Sequence, residues 1–501
     1  MLLIYPPLAK PGEPPAGIAC LAGALRGHDL ECTLLDANLE GLFYLLERPC
    51  PATDTWSRRA CAKLRANIAA LKNPELYRNP ARYQQAVAEV NRVLEMLGKQ
   101  HELSLSLANY QDADLSPLKS RDLLQAADQP EQNIFYPYFA ERLSRLIEQE
   151  QPPLIGISLN YLSQALTTFA MVGFIKQRYP GLPIVLGGGL VTSWLRNPAW
   201  RNPFAGLVDH LIAGPGEEPL LALLGKKGVH HPMPPDFAGL PLNDYLAPGL
   251  ILPYAASTGC YWNRCSFCPE KAEANPYRQL PLPTVLEQLA LLKQQTTPAL
   301  LHLLDNAVSP ALMRAMVDTP PGVDWYGFAR VSPLLADVEF CHALRRSGCV
   351  MLKLGLESGD QQVLDAMDKG IELGLVSRTL DALQQAGIAT YVYLLFGTPP
   401  ESILEARRTM AFAVDHHQAI TFLNLAIFNM PLCGLEEPNI RTNNFYEGDL
   451  SLYTDFIHPR GWSRQAIRKF LDQEFKRQPE IAKIIQRDPS LFTSNHAAFF
   501  C

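Results

Sequence analysis

Short apolar runs alternate with amphipathic stretches over most of the chain, and this rhythm predicts strands separated by helices. In the first part of the chain, helices are predicted at residues 15–26 and 166–178. The strands predicted there are 2–5, 32–36, 154–160, 183–189 and 210–216. Strands that alternate with helices form parallel sheets with right-handed crossovers. We therefore expect a Rossmann-like α/β domain over residues 1–225.

Two stretches break this rhythm. Residues 50–130 are polar and rich in helical patterns, the clearest at 79–100, and we interpret them as a helical insertion in the first domain. Residues 226–249 are rich in proline and glycine, which indicates a linker.

Six further strand–helix units follow the linker. Their predicted strands are 251–258, 299–305, 324–331, 350–358, 389–397 and 420–428. Repeats of roughly 30 to 40 residues fit a partial TIM-type (β/α)6 barrel, here expected over 250–435, with its active site at the carboxyl ends of the strands. Residues 436–501 are expected to form a small, mostly helical C-terminal extension.

Composition and charge narrow the classes of function. The net charge of −6 gives no basic footprint for nucleic acid. The first residues lack a basic region followed by a long apolar run, so we expect no signal peptide. No stretch approaches the roughly 20 apolar residues that span a bilayer. These features predict a cytoplasmic protein without a membrane partner.

Three of the eleven cysteines, Cys260, Cys265 and Cys268, lie within nine residues, on the loop after the first barrel strand. Clustered thiolates in a cytosolic protein select zinc or an iron–sulfur cluster. A structural zinc site needs four ligands, and no fourth cysteine or histidine is close in sequence. Three thiolates on a four-iron cluster leave one iron open, which suggests catalysis. Zinc, or thiols without a ligand, remains the alternative.

This loop resembles the radical S-adenosylmethionine (SAM) superfamily, whose usual signature is C-x3-C-x2-C. The second gap matches, including the aromatic Phe267, whereas the first gap is one residue longer. The resemblance implies a [4Fe–4S] cluster on the three cysteines. It also implies SAM bound at the open iron, reductive cleavage to a 5′-deoxyadenosyl radical, and a low-potential electron donor such as flavodoxin or ferredoxin.

The resemblance extends along the barrel. Residues 353–370 look like the family's fourth-strand segment and residues 394–402 like its fifth-strand motif. A carboxylate after the second strand and an arginine after the third stand where members bind the methionine ammonium and carboxylate of SAM. The residues that the resemblance assigns to SAM are Phe267, Asp305, Arg330, Glu357, Ser358, Phe396 and Gly397.

The N-terminal sheet, placed before such a barrel, resembles the cobalamin (B12)-binding domain of one radical SAM class. It lacks the D-x-H-x-x-G segment that ligates cobalt in other cobalamin proteins, and radical SAM members commonly lack it too. The implied contacts are Ser158, Gly187, Gly188, Gly189, Gly214 and Glu217. A sheet that binds no cobalamin is the alternative. No G-x-G-x-x-G follows the first strand, which argues against a dinucleotide site.

The leading functional hypothesis is cobalamin-dependent radical methyl transfer to an unactivated carbon of a small molecule or peptide. Ring closure or rearrangement by the same radical is one alternative, and a non-catalytic iron–sulfur or zinc protein is another. Weaker site candidates, each as easily explained by packing or capping, are His302, His416, His417, Tyr453, Asp455 and His496.

Overall fold

A computed structural model describes residues 1–49, 52, 54–226, 232–433, 440–442, 447–489 and 496–500. Cys50, Cys501 and the expected boundary near residue 435 lie outside the described residues. The chain forms two compact units that divide at Ile251. The C-terminal segment contributes to both units and does not form one of its own.

The first unit contains a parallel five-stranded sheet, which confirms the predicted α/β class. Strands along this unit are β1 (Leu2–Tyr5), β2 (Thr33–Asp36), β3 (Leu103–Ser106), β4 (Asn109–Asp112), β5 (Ile155–Ser158), β6 (Ile184–Gly187) and β7 (His210–Leu211). The sheet order is β2-β1-β5-β6-β7, and each neighbouring pair is parallel. Its helices are Ala16–Arg26, Ala37–Leu46, Tyr136–Glu150, Leu162–Arg178, Gly189–Arg196 and Glu217–Leu223. Apolar side chains of β1, β5 and β6 are almost fully buried between the helices.

The insertion is helical, as expected, but it also contains a β-hairpin. Its helices are Thr55–Leu71, Pro74–Tyr77, Pro80–Lys99 and Ser120–Asp128, and β3 pairs antiparallel with β4. Leu103 and Leu105 are buried against the end of the long helix, where Gly98 leaves room for them. Two buried positions in alternation are too short a pattern to stand out beside a strong helical period.

The second unit contains a six-stranded sheet in the order β15-β14-β13-β12-β11-β8. The strands along this unit are β8 (Ile251–Tyr254), β9 (Ser257–Thr258), β10 (Arg278–Gln279), β11 (Leu300–Leu303), β12 (Asp324–Ala329), β13 (Cys349–Glu357), β14 (Ala389–Phe396), β15 (Phe422–Ile427), β16 (Met430–Pro431) and β17 (Tyr453–Thr454). The pairs from β11 to β15 are all parallel. Strand β10 pairs with β9 and β17 with β16, both antiparallel.

Helices separate most of these strands. They are Pro269–Ala272, Leu282–Thr296, Pro310–Asp318, Val338–Arg346, Gln361–Ala366, Leu373–Gln385, Ile403–Asp415, Arg464–Gln473 and Pro479–Arg487. Among the described residues, no helix combines the length and apolar character needed to cross a bilayer.

The strand predicted at 251–258 is two strands. The chain leaves the sheet after Tyr254, and the short β9 pairs antiparallel with β10. The buried Asp305 explains this break, because its carboxylate accepts hydrogen bonds from the Ala256 N–H (3.1 Å) and from the Ser257 hydroxyl. The break directs the chain into the cysteine loop.

Candidate functional site

The cysteine loop, residues 260–268, follows β9 at the carboxyl end of the first strand of the six-stranded sheet. It turns at Asn263, an exposed residue with a left-handed φ of 45°. Asparagine tolerates this conformation better than most residues. The extra residue of the first gap is therefore accommodated by an exposed turn. Gly259 precedes the loop with φ 70°, and a Cβ there would lie 2.5 Å from the Pro276 carbonyl oxygen.

The three thiols are partly or fully shielded from water. Cys265 is 8% exposed, and Cys260 and Cys268 are half-buried. Burial raises the pKa of Cys265, and it raises the pKa of Cys268 to about 11. The side chains of Arg330 and Lys369 act in the opposite direction on Cys265. Burial is the larger effect, so it disfavours the free thiolates, and the two cations offset it only in part at Cys265.

The residue type of the three ligands, rather than a measured spacing, decides which metal centre they suit. Among the described residues, no three His, Cys, Asp or Glu side chains converge as ligands of one metal ion. Iron–sulfur clusters are held by cysteine thiolates. Residues 260–268 therefore fit an iron–sulfur cluster on chemical grounds, as soft thiolates on one loop.

A backing segment, residues 367–370, supports the loop. Three successive carbonyl groups at 367–369 accept hydrogen bonds from the loop and from an arginine at the end of β12. The donors are Ser266 N to Met367 O (3.0 Å), Trp262 Nε1 to Asp368 O (2.9 Å) and Arg330 Nη2 to Lys369 O (2.5 Å). These bonds fix the loop to the segment that follows β13.

Trp262 connects the loop to two further groups. The Arg330 guanidinium lies 4.3 Å from the centre of a Trp262 ring, and its Nη1 is 3.9 Å from Cys265 Sγ. Gly370, with φ 65°, lies against the same indole, and a Cβ at this position would approach Trp262 Cζ2 to 2.0 Å. This position therefore requires glycine for two reasons. Its positive φ strains any residue with a side chain, and the Trp262 indole leaves no room for a Cβ.

Glu357 ends β13 and forms an ion pair with Lys369 (Oε1–Nζ 2.8 Å). The two side chains are only 12% and 8% exposed. Glu357 has φ 69°, a strained conformation for a residue with a side chain. A Cβ on Gly355 would lie 2.6 Å from Glu357 Oε1, so the carboxylate extends over a position without a side chain. The Lys369 amine also lies 5.5 Å from the Phe267 ring centre.

One face of the six-stranded sheet, which we call the site face, is half-exposed toward its carboxyl end. Strand register places its residues side by side, and the alternate residues on the opposite face are buried in β11 to β14. The half-exposed residues are His302, Phe328, Gly355, Glu357, Tyr393 and Asn424. The site face therefore borders accessible space beside the cysteine loop.

Two residues that the sequence assigned to SAM are engaged in local hydrogen bonds. Asp305 is 2% exposed and holds β9, and burial raises the pKa of its carboxyl. Ser358 is fully buried, with its hydroxyl 3.1 Å from Thr409 Oγ1. Their assignment to SAM remains a prediction.

Two more residues that the sequence assigned to SAM, at the end of β14, are also engaged in local contacts. Phe396 is fully buried, with ring-centre distances of 6.0 Å to Phe470 and 5.3 Å to Phe475. Gly397, with φ 81°, donates its N–H to Glu401 Oε2 (2.5 Å). Glu401 is fully buried, and its Oε1 has no hydrogen-bond partner among the described residues. Burial raises the pKa of its carboxyl to about 8.

At the first sheet, the carboxyl edge is lined by glycine backbone. Gly188 has φ 107°, and a Cβ there would lie 2.4 Å from the Leu159 carbonyl oxygen. A Cβ on Gly214, with φ 72°, would meet nothing within 4 Å, and one on Gly189 would meet only Asn160, no closer than 3.7 Å. Open space above a shelf without side chains fits a large, flat cofactor such as cobalamin.

Asn160 connects the loops of this edge. Its Nδ2 donates to Ser158 Oγ (3.0 Å), and its Oδ1 accepts the Gly189 N–H (2.9 Å). Ser158, the residue predicted from sequence to contact cobalamin, is 8% exposed, whereas Asn160 is half-buried. Asn160 is therefore the more accessible of the two side chains. Glu217 begins the helix Glu217–Leu223 and is close enough to Cys20 to raise the pKa of that thiol, after the larger effect of burial.

The structure matches that of TsrM from Kitasatospora setae, a radical SAM methyltransferase solved with cobalamin and a [4Fe–4S] cluster bound. The TM-score is 0.53 at 17% identity, over 89% of this chain and 80% of that chain. The chain therefore shares its fold with TsrM over most of its length. A second TsrM structure, with tryptophan substrate and the SAM analog aza-SAM, matches with the same TM-score at 18% identity, over 89% of this chain and 78% of that one.

Sequence comparison gives two curated relatives, while no protein-family model matches. An uncharacterized methyltransferase of Pyrococcus horikoshii is 24% identical over 311 residues, 54% of this chain. An anaerobic magnesium-protoporphyrin IX monomethyl ester cyclase of Rubrivivax gelatinosus is 25% identical over 165 residues, 31% of this chain. The matches span 66% and 29% of these relatives. At the level of fold, the structural result confirms the resemblance proposed from the cysteine loop.

Trp262 and Lys369, which support the cysteine loop and Glu357, were not among the residues predicted from the sequence. Both residues lie inside segments whose sequence resembles the family, and this position was the only indication of a role. A single sequence does not show which distant residues they contact. His416 and His417 cap the helix Ile403–Asp415, with Nδ1 atoms 2.9 Å from Phe412 O and 2.8 Å from Val414 O. Tyr453, Asp455 and His496 remain unassigned candidates.

Proposed function

We propose that this chain is a radical SAM enzyme that holds a [4Fe–4S] cluster on Cys260, Cys265 and Cys268 and methylates an unactivated carbon with the help of cobalamin. In this proposal the six-stranded sheet is the partial (β/α)6 barrel expected from sequence. The observation that carries the proposal is the three-thiol loop at the carboxyl end of that sheet, in a chain whose fold is similar to TsrM over 89% of its length.

The residues around the loop have distinct roles in this proposal. When bound, the cluster would supply an open iron for SAM and the electron that cleaves it. Arg330, held by Trp262 and the backing segment, places a cation beside Cys265 and the expected SAM carboxylate. Glu357, oriented by Lys369, presents its carboxylate on the site face, where it would accept hydrogen bonds from the ribose hydroxyls or the ammonium of SAM.

Cobalamin is assigned to the carboxyl edge of the first sheet. The glycines 187–189 and Gly214 offer backbone and open space in place of side chains, and Glu217 lies at the following helix start. Large cofactors bind at this edge of parallel sheets because the strand ends and helix starts meet there.

Ring closure is the second candidate function. Its support is the similarity of 31% of this chain to the Rubrivivax gelatinosus cyclase. The three cysteines, SAM and the radical step are common to both candidates, so the two differ only in the fate of the substrate radical.

Oxygen-free reconstitution tests the proposal. We expect roughly four iron and four sulfide per chain and formation of 5′-deoxyadenosine from SAM with a strong reductant. Cobalamin retained through purification, seen by its absorption, and a labelled methyl group passing from SAM to product distinguish methyl transfer from ring closure.

The matched variants are Cys265→Ala and Cys341→Ala. Both remove a buried thiol of the second unit, but Cys341 belongs to the helix Val338–Arg346, and its Sγ is 3.3 Å from the Leu335 carbonyl oxygen. Cys265→Ala should lose SAM cleavage, whereas Cys341→Ala should keep it. Cleavage at the wild-type rate by Cys265→Ala, or iron fully ligated by the polypeptide, would contradict the proposal.

A further inference from the structure

The turn that follows β14, residues 397–401, has few hydrogen-bond donors of its own. Its sequence is Gly-Thr-Pro-Pro-Glu, and the two prolines have no backbone N–H. Inside the turn, the Gly397 N–H donates to Glu401 Oε2, and the Glu401 N–H donates to the Thr398 carbonyl oxygen (2.9 Å). Thr398 and Glu401 are fully buried. The carbonyl groups of such a turn need further donors from elsewhere in the chain.

The C-terminal arm, residues 456–475, supplies two of these donors. His458 Nε2 lies 3.0 Å from the Thr398 carbonyl oxygen, and Arg460 Nη1 lies 2.7 Å from that of Pro400. A carbonyl oxygen only accepts, so His458 carries its proton on Nε2. Its Nδ1 accepts the Arg460 N–H (3.2 Å), and burial lowers the pKa of His458, which favours the same neutral ring. Both ring nitrogens therefore take part in holding the arm against the turn.

The arm is also bound to the helix that follows the turn, Ile403–Asp415. Arg460 Nη1 is 3.1 Å from Oε2 of Glu405, which belongs to the capping box of this helix. Further along the arm, Glu474 forms a bidentate ion pair with Arg407 of the same helix, with N–O distances of 2.9 and 3.1 Å. Bidentate pairs fix orientation as well as distance. The arm is therefore anchored near both of its ends.

The arm packs on the face of β14 that is opposite to the site face. Side chains alternate along a strand, so Tyr393 and Leu395 share the site face, and both are half-exposed. Phe396, on the other face, is buried against aromatic rings of the arm. A Cβ on Gly397 would lie 2.4 Å from Cδ1 of Ile467, so the arm also covers the first residue of the turn. The arm thus supports the end of β14 from behind.

We propose that His458 and Arg460 are positioning residues for SAM, because their bonds to the turn fix the end of β14, where Phe396 and Gly397 are predicted to contact SAM. This inference rests on the proposed function and gives the C-terminal arm a role in it. The two side chains act through the turn and do not themselves touch SAM. An arm that only stabilises the second unit would affect the melting temperature and leave SAM affinity unchanged.

Equilibrium binding of SAM to the reconstituted, oxygen-free full chain tests this inference. His458→Leu removes both ring nitrogens, whereas His458→Gln keeps an N–H donor near the position of Nε2. We expect His458→Leu to weaken SAM binding about fivefold, as the loss of a hydrogen bond does, and His458→Gln to restore most of the affinity. The iron content of both variants should equal that of the wild type.

Arg460→Met, which removes the guanidinium, should weaken SAM binding to a similar extent. Arg468→Met is the matched control and should behave as wild type, because Arg468 is exposed on the helix Arg464–Gln473 of the same arm. A melting curve checks that each variant folds. The Arg460 side chain is 42% exposed, so Arg460→Met provides a second variant if His458→Leu does not fold.

SAM affinity that is unchanged in His458→Leu and in Arg460→Met would overturn the inference, even if both variants melt at a lower temperature. Equal weakening by His458→Gln and His458→Leu would also overturn it, because the donor to the turn would then have no effect. Failure of the proposed function has a different signature, since the wild type itself would then hold no cluster or bind no SAM.

Discussion

Glycines end β6 and follow β6 and β7 of the first sheet, whereas charged side chains follow β12 and end β13 of the second sheet. At Gly188 and Gly214 the backbone itself forms the surface. At the ends of β12 and β13, Arg330 and Glu357 extend toward the cysteine loop. A shelf of backbone suits a large cofactor bound by shape, while a cluster of charges suits a small polar cosubstrate that must be oriented.

The carboxyl edges of the two sheets also differ in the contacts that hold their loops in place. In the first sheet, Asn160 joins two loops through hydrogen bonds of 3.0 and 2.9 Å. In the second, Trp262, Arg330 and the backing segment form a connected layer behind the thiols. Perturbing each edge separately should therefore affect one cofactor and leave the other in place.

Gly188→Ala should give the largest effect. The added Cβ would lie 2.4 Å from a backbone oxygen that cannot move independently, in a conformation with φ 107°. We expect a loss of about 4 kcal/mol in the unfolding free energy of the first unit, from left-handed strain and overpacking together. Cobalamin retention should be lost while cluster iron remains.

Gly206→Ala is the matched control in the same unit. Gly206 also has a positive φ, 87°, but its Cβ would meet nothing within 4 Å. Loss of iron rather than cobalamin from Gly188→Ala would break the distinction between the two edges.

Gly370→Ala should have the reciprocal effect on the second unit. Overlap with the Trp262 indole and the strained φ of 65° should cost about 3 kcal/mol. Iron and sulfide analysis should show most of the cluster lost, with cobalamin retained. Gly387→Ala, with φ 71° and no neighbour within 4 Å of the Cβ, should keep its iron. Equal iron contents in the two variants would show that Trp262 does not support the loop.

Glu401→Gln should make the second unit more stable in alkaline solution. Burial raises the folded-state pKa of Glu401 to about 8, above its ordinary value of 4.5. Ionisation is thus easier in the unfolded chain, and the wild type loses stability relative to the variant as pH rises from 4.5 to 8. We expect a gain of several kcal/mol at pH 9 and little difference at pH 4. Denaturant unfolding at both pH values measures this, and parallel curves would refute it.

Glu357→Gln should have the smallest effect of the four. It keeps the shape of the side chain but removes the charge that pairs with Lys369. SAM affinity should fall about tenfold, about 1.4 kcal/mol, with cluster iron unchanged. Equilibrium binding of SAM measures this loss, with the exposed Glu372→Gln as control. Unchanged affinity in Glu357→Gln would remove Glu357 from the SAM site.

Much of the fold was predictable from sequence, because apolar periodicity is a local property. The strand at 389–397 appears as β14, Ala389–Phe396, and the helix at 15–26 as Ala16–Arg26. The break within the strand predicted at 251–258 was not predictable. It depends on hydrogen bonds that Ala256 and Ser257 donate to Asp305, which lies about fifty positions later in the chain. Local patterns carry no information about such a distant partner.

The sequence by itself determined the chemistry of this protein: three thiols on one loop, and glycines at the strand ends of an α/β sheet. Spacing and residue type suffice for that, because ligand preference belongs to individual side chains. Only the tertiary structure decided which groups surround them. Gly370 meets Trp262, Lys369 meets Glu357 and Lys353 meets His302 because strands and loops far apart in sequence become neighbours when the sheet forms.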